Sequence, residues 1–178
     1  MSGSEKLREL HNFGYEYLRG PVTEDVLNVE ITSGNCRLAV QDYFYTNYGI
    51  YLGKNEIVLP EAKNKGIFVE NENKSVFLDN LKEGDIIYGE KIKTSTGKRV
   101  NLSEKRVNNE NEWLTSLHMG VYLGVQPSEI LSALSYNEMD IKKPVVWHSS
   151  FISKGTSLWS IDKFCEYYKL VFARRIIN

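Results

Sequence analysis

In CRLAVQDYFYTNYG, which runs from Cys36 to Gly49, the residues Ala39, Val40, Tyr43, Phe44 and Tyr48 recur at intervals of three and four. That spacing gives a helix one apolar stripe, and Gly49 follows where a chain leaves a helix through a left-handed residue. A helix with one apolar face must bury it against a second layer. The material for that layer lies further on. LHMGVYLGV sets Met119, Val121 and Leu123 on one side and His118, Gly120 and Tyr122 on the other, the period of a strand. In PVVWHSS, Val146 and His148 share a face and Trp147 points away. LKEGDIIYGEKI reads as a turn at Glu83 and Gly84 entering a strand, and LVFARRII as a closing strand. Between these, SLWSIDKFCEYYKL carries Leu158, Ile161, Phe164, Cys165 and Tyr168 at helical spacing and is expected to be one helix.

Ser4, Leu7, Leu10, Tyr17 and Leu18, with Gly20 and Pro21 behind them, predict a capped helix ended by a breaker. The segment IYLGKNEIVLPEAKNKGIFV is punctuated by Gly and Pro and fits turns, a short strand or a short helix. From about 91–116 runs a polar insertion containing Lys91, Lys93, Lys98, Arg99, Lys105 and Arg106. It is expected to be a solvated loop or an exposed hairpin, since charge runs usually face water. Helices first, then strands joined by short turns, with a helix before the last strand, predict an α+β fold with an antiparallel sheet. At 178 residues the expectation is one domain spanning 1–178.

The formal net charge of -1 gives no global attraction to nucleic acid, so any partner is expected to be recognised locally. No 18-residue apolar stretch is present to span a bilayer, and the first residues lack the apolar run of a Sec signal. The expected location is therefore cytoplasmic, or export by a non-Sec route, or a chain with its leader removed. Two cysteines far apart, Cys36 and Cys165, make neither a disulfide framework nor a C-x-x-C motif.

Cys36 stands at the start of its helix, where backbone N–H groups and the helix dipole favour a thiolate and can receive an oxyanion. A small buried core cysteine is the alternative at that position. Cys165 falls on an apolar stripe and is expected in the core. Of the three histidines, His11 is expected to be exposed. His118 and His148 lie on strands, and if those strands are neighbours the two imidazoles come within hydrogen-bonding reach. One could then act as a base and the other fix its tautomer, or the two could be a structural pair. Gly120, on the face of His118, would leave room for a helix end to approach. Cys36, His118 and His148 would also make a three-ligand zinc set, although no metal-type spacing accompanies them. No nucleophile-elbow serine or phosphate-binding glycine loop is present.

The ordered set of Cys36 with its trailing YGI, then LKEGDIIY, then HMGVYLG, then VVWH resembles the NlpC-type cysteine peptidases, papain-like enzymes that cleave peptide bonds in bacterial cell walls. The resemblance covers most of the chain from Ser33 to Ser150. It implies a papain-like fold with a nucleophile-bearing helix packed on a central antiparallel sheet. Cys36 would be the nucleophile, His118 the general base and His148 the residue that orients it, with no cofactor and no metal. Leu59 and Pro60 correspond to a Leu-Pro segment of the family, and YLRGPV resembles its Y-x-x-G-x-P-Y with Val22 in place of the last tyrosine. Asn35 stands where wall-cleaving members carry aspartate, and Arg37 and Leu38 where they carry serine and glycine. An Asn-Cys pair also occurs in the permuted lecithin:retinol acyltransferase branch, but there the histidine precedes the cysteine.

The function expected from the resemblance is hydrolysis of an amide or isopeptide bond through an acyl-enzyme on Cys36, the substrate being a peptide or a peptidoglycan fragment. Acyl transfer or thioester hydrolysis on the same fold, and a catalytically silent papain-like binding module, are the alternatives.

Overall fold

The computed structural model describes residues 35–52, 57–58, 62, 67–70, 73–100, 108–133, 142–150 and 155–177. The helix expected from Ser4, His11 and the YLRGPV and Leu59-Pro60 correspondences lie outside the described residues.

The elements in chain order are helix α1 (Asn35–Tyr48), strand β1 (Ile67–Glu70), α2 (Lys74–Asn80), β2 (Ile86–Lys91), α3 (Glu110–Thr115), β3 (His118–Gly124), α4 (Ser128–Ala133), β4 (Val145–Ser150), β5 (Gly155–Ser160), α5 (Ile161–Tyr167) and β6 (Tyr168–Arg175). The strands form one six-stranded sheet in the order β1-β6-β2-β3-β4-β5, with every neighbouring pair antiparallel. The fold is α+β with an antiparallel sheet.

Each face of the sheet carries its own core. The stripe of α1, with Val40, Tyr43 and Phe44, packs with Met119, Val121 and Leu123 of β3 and Trp147 of β4. On the other face Ile87, Tyr122 and Val146 pack with Phe77 of α2, Ile161 and Phe164 of α5, and Tyr168. The alternation read in β3 and β4 is thus a division between two cores. Helix α1 ends as expected: Gly49 has φ 64° and its N–H donates to the Tyr45 carbonyl at 2.8 Å.

Two expectations about elements are corrected. SLWSIDKFCEYYKL is not one helix. Its first residues belong to β5, Ile161–Tyr167 alone is helical, and Tyr168 opens β6. Ser160 ends the strand and caps the helix by accepting from the Lys163 N–H, so a side chain competing for backbone donors outweighed the spacing. Leu158 therefore lies in the α1 core, whereas Phe164 and Tyr168 lie in the other. Cys165 is only partly buried at the edge of that second core, not inside it.

The polar insertion is only partly the solvated hairpin expected. Lys93 and Arg99 do pair across a turn in which Gly97 has φ 78°. Its end, however, is the short helix α3, capped by the Asn109 side chain, which accepts from the Glu112 N–H. That helix buries Trp113 and Leu114 in the α1 core. Two apolar residues on one and a half turns are too few to show a period.

Candidate functional site

The site forms where β3 begins. Residues of β3 alternate in the neighbour they bond, and Tyr122 exchanges bonds with Gly84 and Asp85 on the β2 side. Met119, three residues back, therefore directs its N–H toward β4. The β3–β4 ladder starts only at Val121, paired with Trp147. The Met119 N–H lies beyond that ladder and donates to the Cys36 sulfur, together with the N–H groups of Cys36 and Arg37 at the start of α1. The thiol thus sits at the open end between β3 and β4, one residue from His118, although α1 packs on the face opposite the histidine.

On that other face, His118 Nε2 and His148 Nδ1 are 2.9 Å apart. The rings meet edge to face, at 5.2 Å and 89°. Gly120 permits this. A Cβ there would lie 2.8 Å from Val146 Cγ1, 3.0 Å from the Trp147 carbonyl oxygen and 3.1 Å from His148 Cβ. The room expected for a helix end is in fact taken by β4.

Aromatic rings enclose the pair. Tyr168 stacks on His118 with centroids 4.1 Å apart and planes within 11°, and Trp159 meets His148 at 4.4 Å. Phe164 lies 5.8 Å from His118 and 5.4 Å from His148. Tyr168 reaches His118 across β2 because Gly89 is the residue directly opposite His118. A Cβ on Gly89 would come within 2.8 Å of Tyr168 Cβ. The hydroxyls of Tyr168 and Ser150 are hydrogen-bonded, and negative charge on Cys36 is felt at Tyr168.

Burial dominates the protonation of every group here. It holds His118 down to about 3, helped by the ammonium of Lys91. It also keeps His148 well below the ordinary imidazole range, with His118 and Lys163 adding to the effect. The Cys36 thiol is pushed up by burial, against the opposing pull of its three N–H donors and Arg37. Tyr168 is pushed up to about 12, first by burial and then by the charge on Cys36. The resting groups are a neutral thiol, two neutral imidazoles and a neutral phenol.

His118 and His148 are therefore joined directly, and Cys36 is bonded to the residue after His118. The zinc arrangement finds no support in this geometry: among the described residues no group of three His, Cys, Asp or Glu side chains is placed to hold a metal ion. Tyr168, Gly89 and Phe164 were not singled out by sequence. Tyr168 carried only a helical spacing with Phe164, and its true role depends on the chain changing from helix to strand at that residue.

Comparison with protein-family models, curated proteins and solved structures gave no match to the chain. Among the described residues no helix is long and apolar enough to cross a membrane.

Proposed function

We propose that the protein is a thiol-dependent hydrolase of amide or isopeptide bonds with a papain-like fold, acting on a peptide of the bacterial cell wall through an acyl-enzyme on Cys36. The observation that carries this reading is the run from the Cys36 thiol, through the Met119 N–H it accepts, to an adjacent His118 whose Nε2 is held by His148. The substrate class rests on the resemblance in the ordered motifs around Cys36, His118 and His148.

In this reading His118 carries its proton on Nε2 and donates it to His148 Nδ1, so the Nδ1 lone pair of His118 is the base. Cys36 Sγ attacks the carbonyl carbon as its proton passes to His118 Nδ1, and the carbonyl π pair moves onto oxygen. Backbone N–H groups at the start of α1 receive the oxyanion. As it collapses, the C–N bond breaks and His118 gives the proton to the leaving amine. Water then attacks the thioester, its proton passing to His118, and Cys36 leaves as the thiol. Because burial keeps both partners neutral at rest, the thiolate forms during attack.

Cys36→Ala abolishes amine release from a wall peptide that the native protein cleaves, measured by mass analysis of the products. Cleavage at the wild-type rate by that variant rejects the mechanism. A second reading, a silent papain-like binding module, is favoured by the raised thiol. Calorimetric binding of the peptide by native protein, with no product after prolonged incubation, selects it instead.

A further inference from the structure

The geometry points to Tyr168 as the positioning residue of this site: its ring is the shelf that fixes the imidazole plane of His118, so that Nε2 meets His148 and Nδ1 is left for Cys36. The inference rests on the thiol–imidazole reading above. His118 is the first residue of β3 and lies beyond the β3–β4 ladder, so its strand alone holds it on one side only. An imidazole given a half-turn about its Cβ–Cγ bond would put Cε1 where Nε2 meets His148 and Cδ2 where Nδ1 stood, so both nitrogens would lose their places.

Three features oppose that turn. The Tyr168 ring lies parallel to the imidazole at 4.1 Å, a distance at which any rotation drives the two rings together. The tyrosine is itself fixed. It is the C-cap of α5, where its N–H donates to the Phe164 carbonyl, and in the same step the first residue of β6. Its far end is tied to β4 through the Ser150 hydroxyl. Gly89, opposite His118, supplies the gap through which the ring crosses β2, and a side chain there would displace the tyrosine. A residue joined to α5, β6 and β4 at once holds the imidazole more firmly than β3 can.

The test is imidazole-¹⁵N NMR of His118 together with steady-state kinetics on a cleaved wall peptide. In wild-type protein His118 is protonated on Nε2, and its ring protons are displaced upfield by the stacked tyrosine. Tyr168→Phe keeps the ring, and with it the tautomer and near-native turnover. Tyr168→Leu mixes the tautomers and lowers kcat by about 10- to 100-fold, the scale of a small misplacement of a reacting group, while KM changes little. A Tyr168→Leu protein that is folded and keeps the native tautomer and kcat overturns the inference. If that variant does not fold, the wild-type spectrum decides: no upfield displacement, or a proton on Nδ1, overturns it. The two readings fail separately. Activity lost in Cys36→Ala and His118→Ala but kept in Tyr168→Leu removes only the shelf. A native spectrum as expected, lost in Tyr168→Leu, with no amide cleaved by any form, keeps the shelf and removes the hydrolase.

Discussion

The two imidazoles meet because of a missing side chain. At Gly120 an added Cβ would press on Val146 Cγ1, which a side-chain rotation could move, and on the Trp147 carbonyl oxygen and the His148 Cβ, which are held in β4. Relief requires β3 and β4 to separate at the level of the histidine pair. Gly120→Ala is therefore expected to cost about 1–3 kcal/mol, the range for overpacking a tight interior. It should also lengthen the His118–His148 hydrogen bond. Thermal unfolding measures the first effect. The second appears as a fall in kcat larger than the stability loss explains, because the protein that remains folded is itself slower. The glycine was visible in the sequence on the face of His118, but not what would fill its space. Alternation fixes the face of a residue; only strand order says which neighbour lies beside it.

At the scale of elements, the turn before β2 is pinned from the far end of the chain. Asp85, buried in that turn, accepts from the Lys82 N–H at 2.8 Å. It also accepts from Arg175 twice, Nε at 2.8 Å and Nη2 at 2.6 Å. Arg175 further donates to the Asn80 carbonyl at the end of α2. One guanidinium thus joins β6 to the α2–β2 connection. Asp85→Ala strips a buried partner from Arg175 and is expected to cost about 3 kcal/mol, read as a lower urea midpoint with unchanged slope. The Glu83-Gly84 turn was legible from its residues, since Gly84 has φ 90°. Its dependence on Arg175 was not, because 90 residues separate the pair and neither charge stands out in its own segment. The long helix α1 and strands β3 and β4 were legible through their periods, β2 through the turn that enters it and β6 through its apolar run. The shorter α2 and α3 offer too few turns to repeat a pattern, and the β5–α5 boundary is set by the Ser160 cap. The site divided in the same way: the histidine pair followed from two alternating strands, whereas Tyr168 depends on the junction of α5 with β6.

For the whole molecule, enclosing two neutral imidazoles makes folding sensitive to acid. His118 is held down to about 3 by burial and Lys91, and His148 is lowered well below its ordinary value by burial, His118 and Lys163. In the unfolded chain both titrate near 6.5. Between that value and their folded values the unfolded state binds protons that the folded state does not, so stability rises with pH across the window. Above about pH 7 both states carry neutral histidines and the contribution is complete. As pH falls from about 6.5 toward 3, His118 removes roughly 1 kcal/mol per pH unit until the folded protein too takes up the proton, and His148 acts in the same direction. Neighbouring ammonium groups extend the window to lower pH, because Lys91 opposes a proton on His118 and Lys163 opposes one on His148. Urea midpoints measured from pH 8 to 4 should be flat at the upper end and fall below about 6.5. His118→Gln/His148→Gln protein, starting from a lower plateau, should lose much less over the same interval. A double variant that declines as steeply as the wild type would assign the acid sensitivity to other groups. Retained steepness in only one single variant would assign it to the histidine still present. The same enclosure bears on chemistry: a half-buried base that stays neutral down to low pH keeps its lone pair for the thiol proton wherever the fold survives. The acid limit of activity should therefore follow the unfolding curve, and not an imidazole titration near 6.5.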